Sequence, residues 1–448
     1  MVHSWGVTDS GPDSDANSLR RAVSGPMLLL LVVGDILGAG IYILVGDVAG
    51  EMGGVAWLAF LLAFAVAALS AASYSALVTR FPGPAGSALY VQKAFDRSAL
   101  TFVVGMAIML SSLSTAATTT RAFAGEYLKE FVDAPVVVVA VLLVGALTLL
   151  NIRGIEASAR VNAVMTVIEI AGLIVVIVIG LAALSGGAGD PSALTDFGSI
   201  QLDPLLTATA LAFFAFLGFE DAVHLSAEVR DGRTVFPRVM FGAVTIASAL
   251  YLSVVVVSTL VVPPQTLAAS DGPLLEVVQE GPLAVSPRWF ALVALVAVSN
   301  TSLFALVASS RLVFGMARDG ALPARLGRLG SRYRTPVAAS VVVSAGAAVL
   351  ATTGAVGELA TGAVTLLLVV LVLVNLSAAL TRNHPAAQHA FQPPVAVPVL
   401  GFLASSGLLL HQLATSDRGA WLRLGVLCGV VAVLGVLRTV GRSDRSGS

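Results

Sequence analysis

Long apolar stretches separated by short polar connections run through the chain. About twenty apolar residues span the hydrocarbon core of a bilayer as a helix. Roughly twelve stretches of that kind are legible, starting near Met27, Gly54, Ala99, Ala134, Val161, Pro204, Phe236, Pro287, Pro336, Glu358, Val395 and Trp421. The strict apolar/polar alternation of membrane β-strands is missing. The pattern therefore predicts an all-α integral membrane protein with about 12 transmembrane helices. Its expected layout is a polar tail over 1–25, a transport core over 26–385, two further helices over 386–440 and a tail over 441–448.

Composition strengthens this reading. Hydrophobic residues make up 57% of the 448 positions and charged residues 11%, against about a quarter charged in soluble domains. Mean hydropathy is +0.93. A net charge of -1 gives no sign of nucleic-acid binding, and the single cysteine, Cys428, excludes a disulfide framework within the chain. The polar first 25 residues lack the apolar core of a cleaved signal peptide. With the N-terminus placed in the cytoplasm, only Arg121, Lys129, Arg288, Arg418 and Arg423 fall outside, leaving twenty of the 25 basic residues inside. The positive-inside rule then puts both termini in the cytoplasm and the protein in the cell membrane.

Two spans carry interruptions. The first contains Gly34-Asp35-Ile36-Leu37-Gly38-Ala39-Gly40-Ile41-Tyr42, and the sixth contains Phe213-Phe214-Ala215-Phe216-Leu217-Gly218-Phe219-Glu220-Asp221-Ala222-Val223-His224. Glycine weakens a helix by about 1 kcal/mol relative to alanine. Irregular backbone at membrane depth is tolerated only where protein buries it or where it lines a cavity. Glycine in the first span alone reads equally well as a close helix-packing surface. Matching interruptions at corresponding places of two five-helix halves, 26–185 and 203–385, instead point to a transporter site between inverted repeats. Freed N–H groups at the start of one half-helix suit a carboxylate, and freed carbonyls at the end of the other suit an ammonium. Such a site takes a zwitterion without a buried side-chain charge.

Four motifs carry a resemblance to a known family. They are Gly38-Ala39-Gly40-Ile41; Phe81-Pro82-Gly83-Pro84-Ala85-Gly86-Ser87-Ala88-Leu89-Tyr90; Phe213 to Glu220 with Glu228 downstream; and Gly315-Met316-Ala317-Arg318-Asp319-Gly320-Ala321-Leu322-Pro323 followed by Tyr333-Arg334-Thr335-Pro336. Together and in this order the chain resembles the amino acid–polyamine–organocation (APC) superfamily, and is similar to bacterial amino acid permeases related to cationic amino acid transporters. The resemblance implies a LeuT-like fold of 5+5 inverted repeats with unwound helices 1 and 6, plus two C-terminal helices. It implies a secondary transporter that moves amino acids by alternating access, with proton-coupled import as the leading mode and amino acid/amine exchange as the alternative. A transporter-like sensor or a channel is a more distant reading. The amides of Ala39, Gly40 and Ile41 would bind the substrate carboxylate. The carbonyls of Ile36, Phe214, Ala215, Phe216 and Leu217 would bind the amine, with Phe216 as an aromatic gate.

Some proton-coupled relatives carry a lysine on the fifth helix facing the first-helix loop, where this chain has Glu169. A buried carboxyl would couple with the opposite charge bookkeeping, or serve as a neutral structural acid. Ionisable residues inside a span are functional hypotheses by default. Asp35 reads as a local cap, an ammonium ligand or a proton site. Gly218 and Glu220 read as structural at the sixth-helix break, Asp221 as a contact for a cationic side chain, and His224 as a proton site or a satisfied buried histidine. Arg121 is expected to snorkel to water. Ser299, Asn300, Thr301 and Ser302 read as packing glue or as a sodium site. The resemblance favours a proton gradient over sodium. No cofactor, metal site, nucleic acid or obligate protein partner is implied beyond the amino acid and the bilayer. Without HExxH, GxSxG or P-loop motifs the chain reads as no enzyme and no ATP-driven pump.

Overall fold

The computed structural model describes residues 19, 21–187, 189, 191–270, 272–280, 285–385 and 390–415. The expected twelfth span near Trp421, Cys428 and both terminal tails lie outside the described residues. Fifteen α-helices follow one another in the described chain: α1 (Gly25–Leu37), α2 (Ala39–Met52), α3 (Ala56–Arg80), α4 (Ser87–Phe95), α5 (Ser98–Ala122), α6 (Val136–Ile152), α7 (Ile155–Ser185), α8 (Leu202–Ala215), α9 (Gly232–Val261), α10 (Pro264–Ala269), α11 (Pro273–Glu280), α12 (Pro287–Arg318), α13 (Val337–Ala351), α14 (Val356–Leu380) and α15 (Ala396–Thr415). Among the described residues the extended pairing is a single isolated bridge between Val23 and Val229.

Seven helical stretches are long and apolar enough to cross a membrane, and three shorter apolar helices, α6, α8 and α13, accompany them. The first of the seven runs from Gly25 to Arg80. The break at Gly38 and the 3-10 turn Gly53–Val55 divide it into α1, α2 and α3.

Helix α7 shows how the bundle sits in its solvent. Its outward face carries Val164, Val167, Ile174, Val178 and Leu181, at spacings of three, four or seven residues that fall along one side. Its inward face carries Ser158, Asn162, Thr166 and Glu169. Apolar side chains out and polar side chains in is the reverse of a water-soluble helix. It is stable where lipid solvates the exterior and protein must satisfy the polar groups.

The centre of the bundle is made of α1, α2, α8, α5 and α12. Helix α5 lies against both α12 and α14, α3 lies along α9, and α2 lies against α8. Helix α1 touches α7, α9 and α12. The two interrupted helices are therefore enclosed on several sides.

Candidate functional site

The first interruption is a single residue wide. Helix α1 ends at Leu37 and α2 begins at Ala39, with Gly38 between them in a non-helical conformation (φ -53°, ψ -108°). The second is longer. Helix α8 ends at Ala215, and turns run from Phe216 to Glu220 before a 3-10 segment, Asp221–Leu225. Gly218 at φ 124° makes the reversal, a backbone region that side chains disfavour.

Gly40 sets how near the two interruptions come. A Cβ on Gly40 would overlap the backbone and side chain of Ala215, so α2 and the end of α8 touch main chain to main chain. A Cβ on Gly218 would lie 2.5 Å from Asp35 Oδ2, which places the Asp35 carboxyl over the second break. Every residue expected to bind solute, Ile36, Ala39, Gly40, Ile41, Phe214, Ala215, Phe216 and Leu217, is buried at this junction.

Two hydroxyls close the junction. Thr301 Oγ1, from α12, accepts the Ala39 amide hydrogen (3.2 Å) and donates to the Asp35 carbonyl (3.3 Å). One side chain thus bridges the last turn of α1 and the first turn of α2. The Tyr251 hydroxyl, from α9, reaches the carbonyls of both Ile36 and Ala215, the second at 3.0 Å. Main-chain groups freed by the breaks are held by the protein's own hydroxyls, as burial requires. Phe216 packs edge-on to Tyr251, with ring centroids 5.3 Å apart, and tilts toward Phe64 at 6.5 Å. Tyr251 and its role were not singled out in the sequence, because a tyrosine amid the apolar run of α9 looks like packing. Thr301 stood out only as one of four small polar residues.

Glu220 Oε2 accepts the Gly218 amide hydrogen at 2.9 Å. Asp221 faces Ser112 on α5, whose Oγ lies 3.2 and 3.3 Å from its two carboxyl oxygens. No cationic side chain is recorded at Asp221 among the described residues. His224 is buried, with Nδ1 3.1 Å from the Pro84 carbonyl and Nε2 unpartnered. Asp35 Oδ2 is likewise buried without a hydrogen-bond partner. Arg121 is half-buried, and its Nη1 donates to the Ala351 carbonyl at 2.7 Å.

Behind α1 lies a second polar cluster. Thr166 Oγ1 on α7 donates to the Leu30 carbonyl (3.1 Å) and receives a hydrogen bond from Asn300 Nδ2 on α12 (3.2 Å). One turn further along α7, Glu169 is fully buried beside Asn300. Its carboxyl is held among protein atoms, with the Asn300 side chain as its polar neighbour. The unpartnered Tyr42 hydroxyl lies 3.4 Å from where a Cβ on Gly172 would stand. The Glu169 carboxyl, the Tyr42 phenol and the Asn300 side chain thus lie near one another between α2, α7 and α12.

The motif segments converge beneath the second break. Ser226 Oγ accepts from the Gly83 amide and donates to the Gly83 carbonyl, both at 3.0 Å. Gly315 on α12 abuts Pro84 and Ala85 closely enough that a Cβ would lie 2.6 Å from the Ala85 nitrogen. Glu228 pairs with Arg311 at 3.4 Å, and Arg311 Nη1 also binds Asn151 Oδ1 on α6. Arg311 is one of the twenty basic residues that the orientation count assigns to the inside segments. It lies within α12, fully buried, and locks three segments together. Val23 reaches the same region through main-chain bonds with Glu228 and Arg230, both 3.0 Å. No cluster of metal-ligating side chains occurs among the described residues.

An all-helical bundle with a lipid-facing exterior and two broken helices touching at its centre defines a membrane transporter architecture. The comparisons give the family: residues 25–417 match the amino acid permease family, and the chain belongs to it. It is 29% identical over 381 residues to the vacuolar cationic amino acid transporter 2 of Arabidopsis thaliana, covering 78% of this chain and 59% of that protein. The chain spans about three fifths of the length of that plant relative. It is 27% identical over 434 residues to the methylthioribose transporter of Bacillus subtilis, covering 91% of each chain. It is 29% identical over 447 residues to an uncharacterized transporter of Mycobacterium tuberculosis, covering 97% and 95%.

Proposed function

We propose that this permease is a secondary active transporter that imports amino acids across the cell membrane by alternating access, coupled to protons. The reading rests on one observation: the two helix breaks meet, and the main-chain groups released there are held by two side-chain hydroxyls, those of Tyr251 and Thr301. In this closed arrangement the hydroxyls occupy the Ile36 and Ala215 carbonyls and the Ala39 amide. A zwitterion entering between α2 and α8 takes them over. Its carboxylate meets the first-turn amides of Ala39, Gly40 and Ile41, at the positive end of the α2 dipole. Its ammonium meets the carbonyls of Ile36 and of Phe214 to Leu217, and Phe216 closes over it.

Separation of α2 from α8 is the motion that admits solute, since Gly40 and Ala215 leave no space between them. The pairing of α2 with α8, α3 with α9 and α5 with α12 supports a LeuT-like 5+5 inverted repeat, because these are corresponding helices of the two halves. With two C-terminal helices this makes twelve spans with both termini in the cytoplasm. Glu169 is the coupling group: its buried carboxyl carries the proton and hands it on when α1 and α2 move away from α7. Asp35, over the second break, is a further titratable group of the junction, with Glu220 and Asp221 nearby.

Uptake into proteoliposomes tests the assignment. An inward proton gradient should drive accumulation of an amino acid into vesicles holding none. A requirement for internal substrate, with no proton entry, would identify an exchanger instead. The Bacillus subtilis relative's name supports a second reading, in which the solute is a neutral thio-sugar. Competition by methylthioribose against amino acid uptake separates the two.

A further inference from the structure

At the N-terminal end of α7 lies a cavity of about 310 Å³, apart from the solute site. Its wall includes Arg153, Gly154, Arg160, Arg332, Arg334 and Thr335, with Glu156, Glu228 and Tyr333 completing it. Four guanidinium groups face two carboxylates, and one of those, Glu228, is already paired with the buried Arg311. The remaining balance is positive. Arg334 sits at φ 53°, an unusual backbone conformation for a side-chain residue, and its Nε and Nη2 are buried with no hydrogen-bond partner. Buried guanidinium nitrogens without an acceptor are unfavourable unless something supplies one.

The backbone points the same way. The 31-residue helix α7 starts on this cavity, its N-cap is Gly154, and no side chain caps it. The first-turn residues Ile155, Glu156 and Ala157 line the same space. A helix N-terminus and several forked guanidinium groups are complementary to a tetrahedral oxyanion, which arginine grips through paired hydrogen bonds.

Depth identifies the source. Leu149, one turn before Arg153 on α6 and about 6 Å along the helix, is 64% exposed and faces lipid. Tyr333 at the rim is 44% exposed and stacks under Arg332 at 5.1 Å, as aromatic side chains do at the membrane interface. We propose that this cavity binds the phosphate of an anionic phospholipid headgroup, and so ties the α6–α7 turn and the α12–α13 loop to the surrounding leaflet.

The test uses the full-length protein in detergent, by thermal shift with native mass spectrometry. Phosphatidylglycerol should raise Tm and remain bound, while phosphatidylcholine should do neither. Arg153→Gln combined with Arg334→Gln should weaken phosphatidylglycerol about tenfold or more. Arg288→Gln, at an exposed arginine elsewhere, should leave the effect intact. Glycerol phosphate is the soluble probe. An equal arginine-dependent shift with it would overturn the lipid source. Equal behaviour of the two lipids in the wild-type protein, or an undiminished shift in the double variant, would overturn the site.

Discussion

The hydroxyl of Tyr251 bonds the carbonyl of Ile36 across 215 positions of sequence, and reaches the Ala215 carbonyl of the other broken helix as well. A single hydroxyl hydrogen serves two acceptors on opposite sides of the junction. Phe216 and Phe60 hold the ring edge-on at 5.3 and 6.1 Å, so the hydroxyl can be removed without removing the packing. Tyr251→Phe leaves two buried carbonyls short of a donor and should destabilise the closed arrangement by about 1–3 kcal/mol. The expected outcome is a folded protein with a lowered Tm and uptake reduced about tenfold. Unchanged Tm and uptake would show that the bond contributes nothing.

Glu169 offers a separate outcome. Replacement by glutamine keeps size and polarity in the space shared with Tyr42 and Asn300, but removes the exchangeable proton. Uptake by Glu169→Gln in proteoliposomes should lose its dependence on the pH gradient while exchange of internal for external substrate persists. A proton dependence equal to that of the wild type would remove Glu169 from coupling.

Gly218→Ala should be poorly tolerated for two independent reasons. The residue sits at φ 124°, and a methyl group would press on the Asp35 carboxyl. Backbone strain of this kind is worth about 1–3 kcal/mol. A lowered Tm together with weakened substrate protection is expected, and wild-type values for both would contradict the geometry.

The buried Glu228–Arg311 pair should be unforgiving when broken singly. Glu228→Gln or Arg311→Met leaves one charge or one set of donors uncompensated, at about 3–5 kcal/mol. The double variant should recover part of that loss. Additive losses in thermal unfolding would mean that the two side chains do not act as a pair.

Much of this arrangement was legible from residue types alone. Apolar run length gave the helical class, and Gly38 and Gly218 mark where two helices break, while Gly34 and Gly40 lie within α1 and α2. The motif segments were visible one by one, but not that Ser226, Pro84 and Gly315 meet beneath the second break, because contacts between distant segments leave no local periodicity. Facing was the other gap. On α7 the polar stripe Ser158, Asn162, Thr166 and Glu169 is visible in the sequence, but only the packed structure shows that it turns inward and Val164 and Val167 outward. Tyr251 and Arg311 were missed for related reasons: one resembled packing, the other a cation of the inside segments.

Capture of a zwitterion by main-chain groups at the α1/α2 and α8 breaks is the central claim. Its most direct measurement is binding to the purified protein, by calorimetry, of an amino acid against its N-acetyl and methyl-ester derivatives, repeated with Gly40→Val. The account predicts binding of the free amino acid alone, and its abolition by the valine, which would collide with Ala215. Equal binding of the blocked derivatives, or undiminished binding by the Gly40→Val protein, would contradict it.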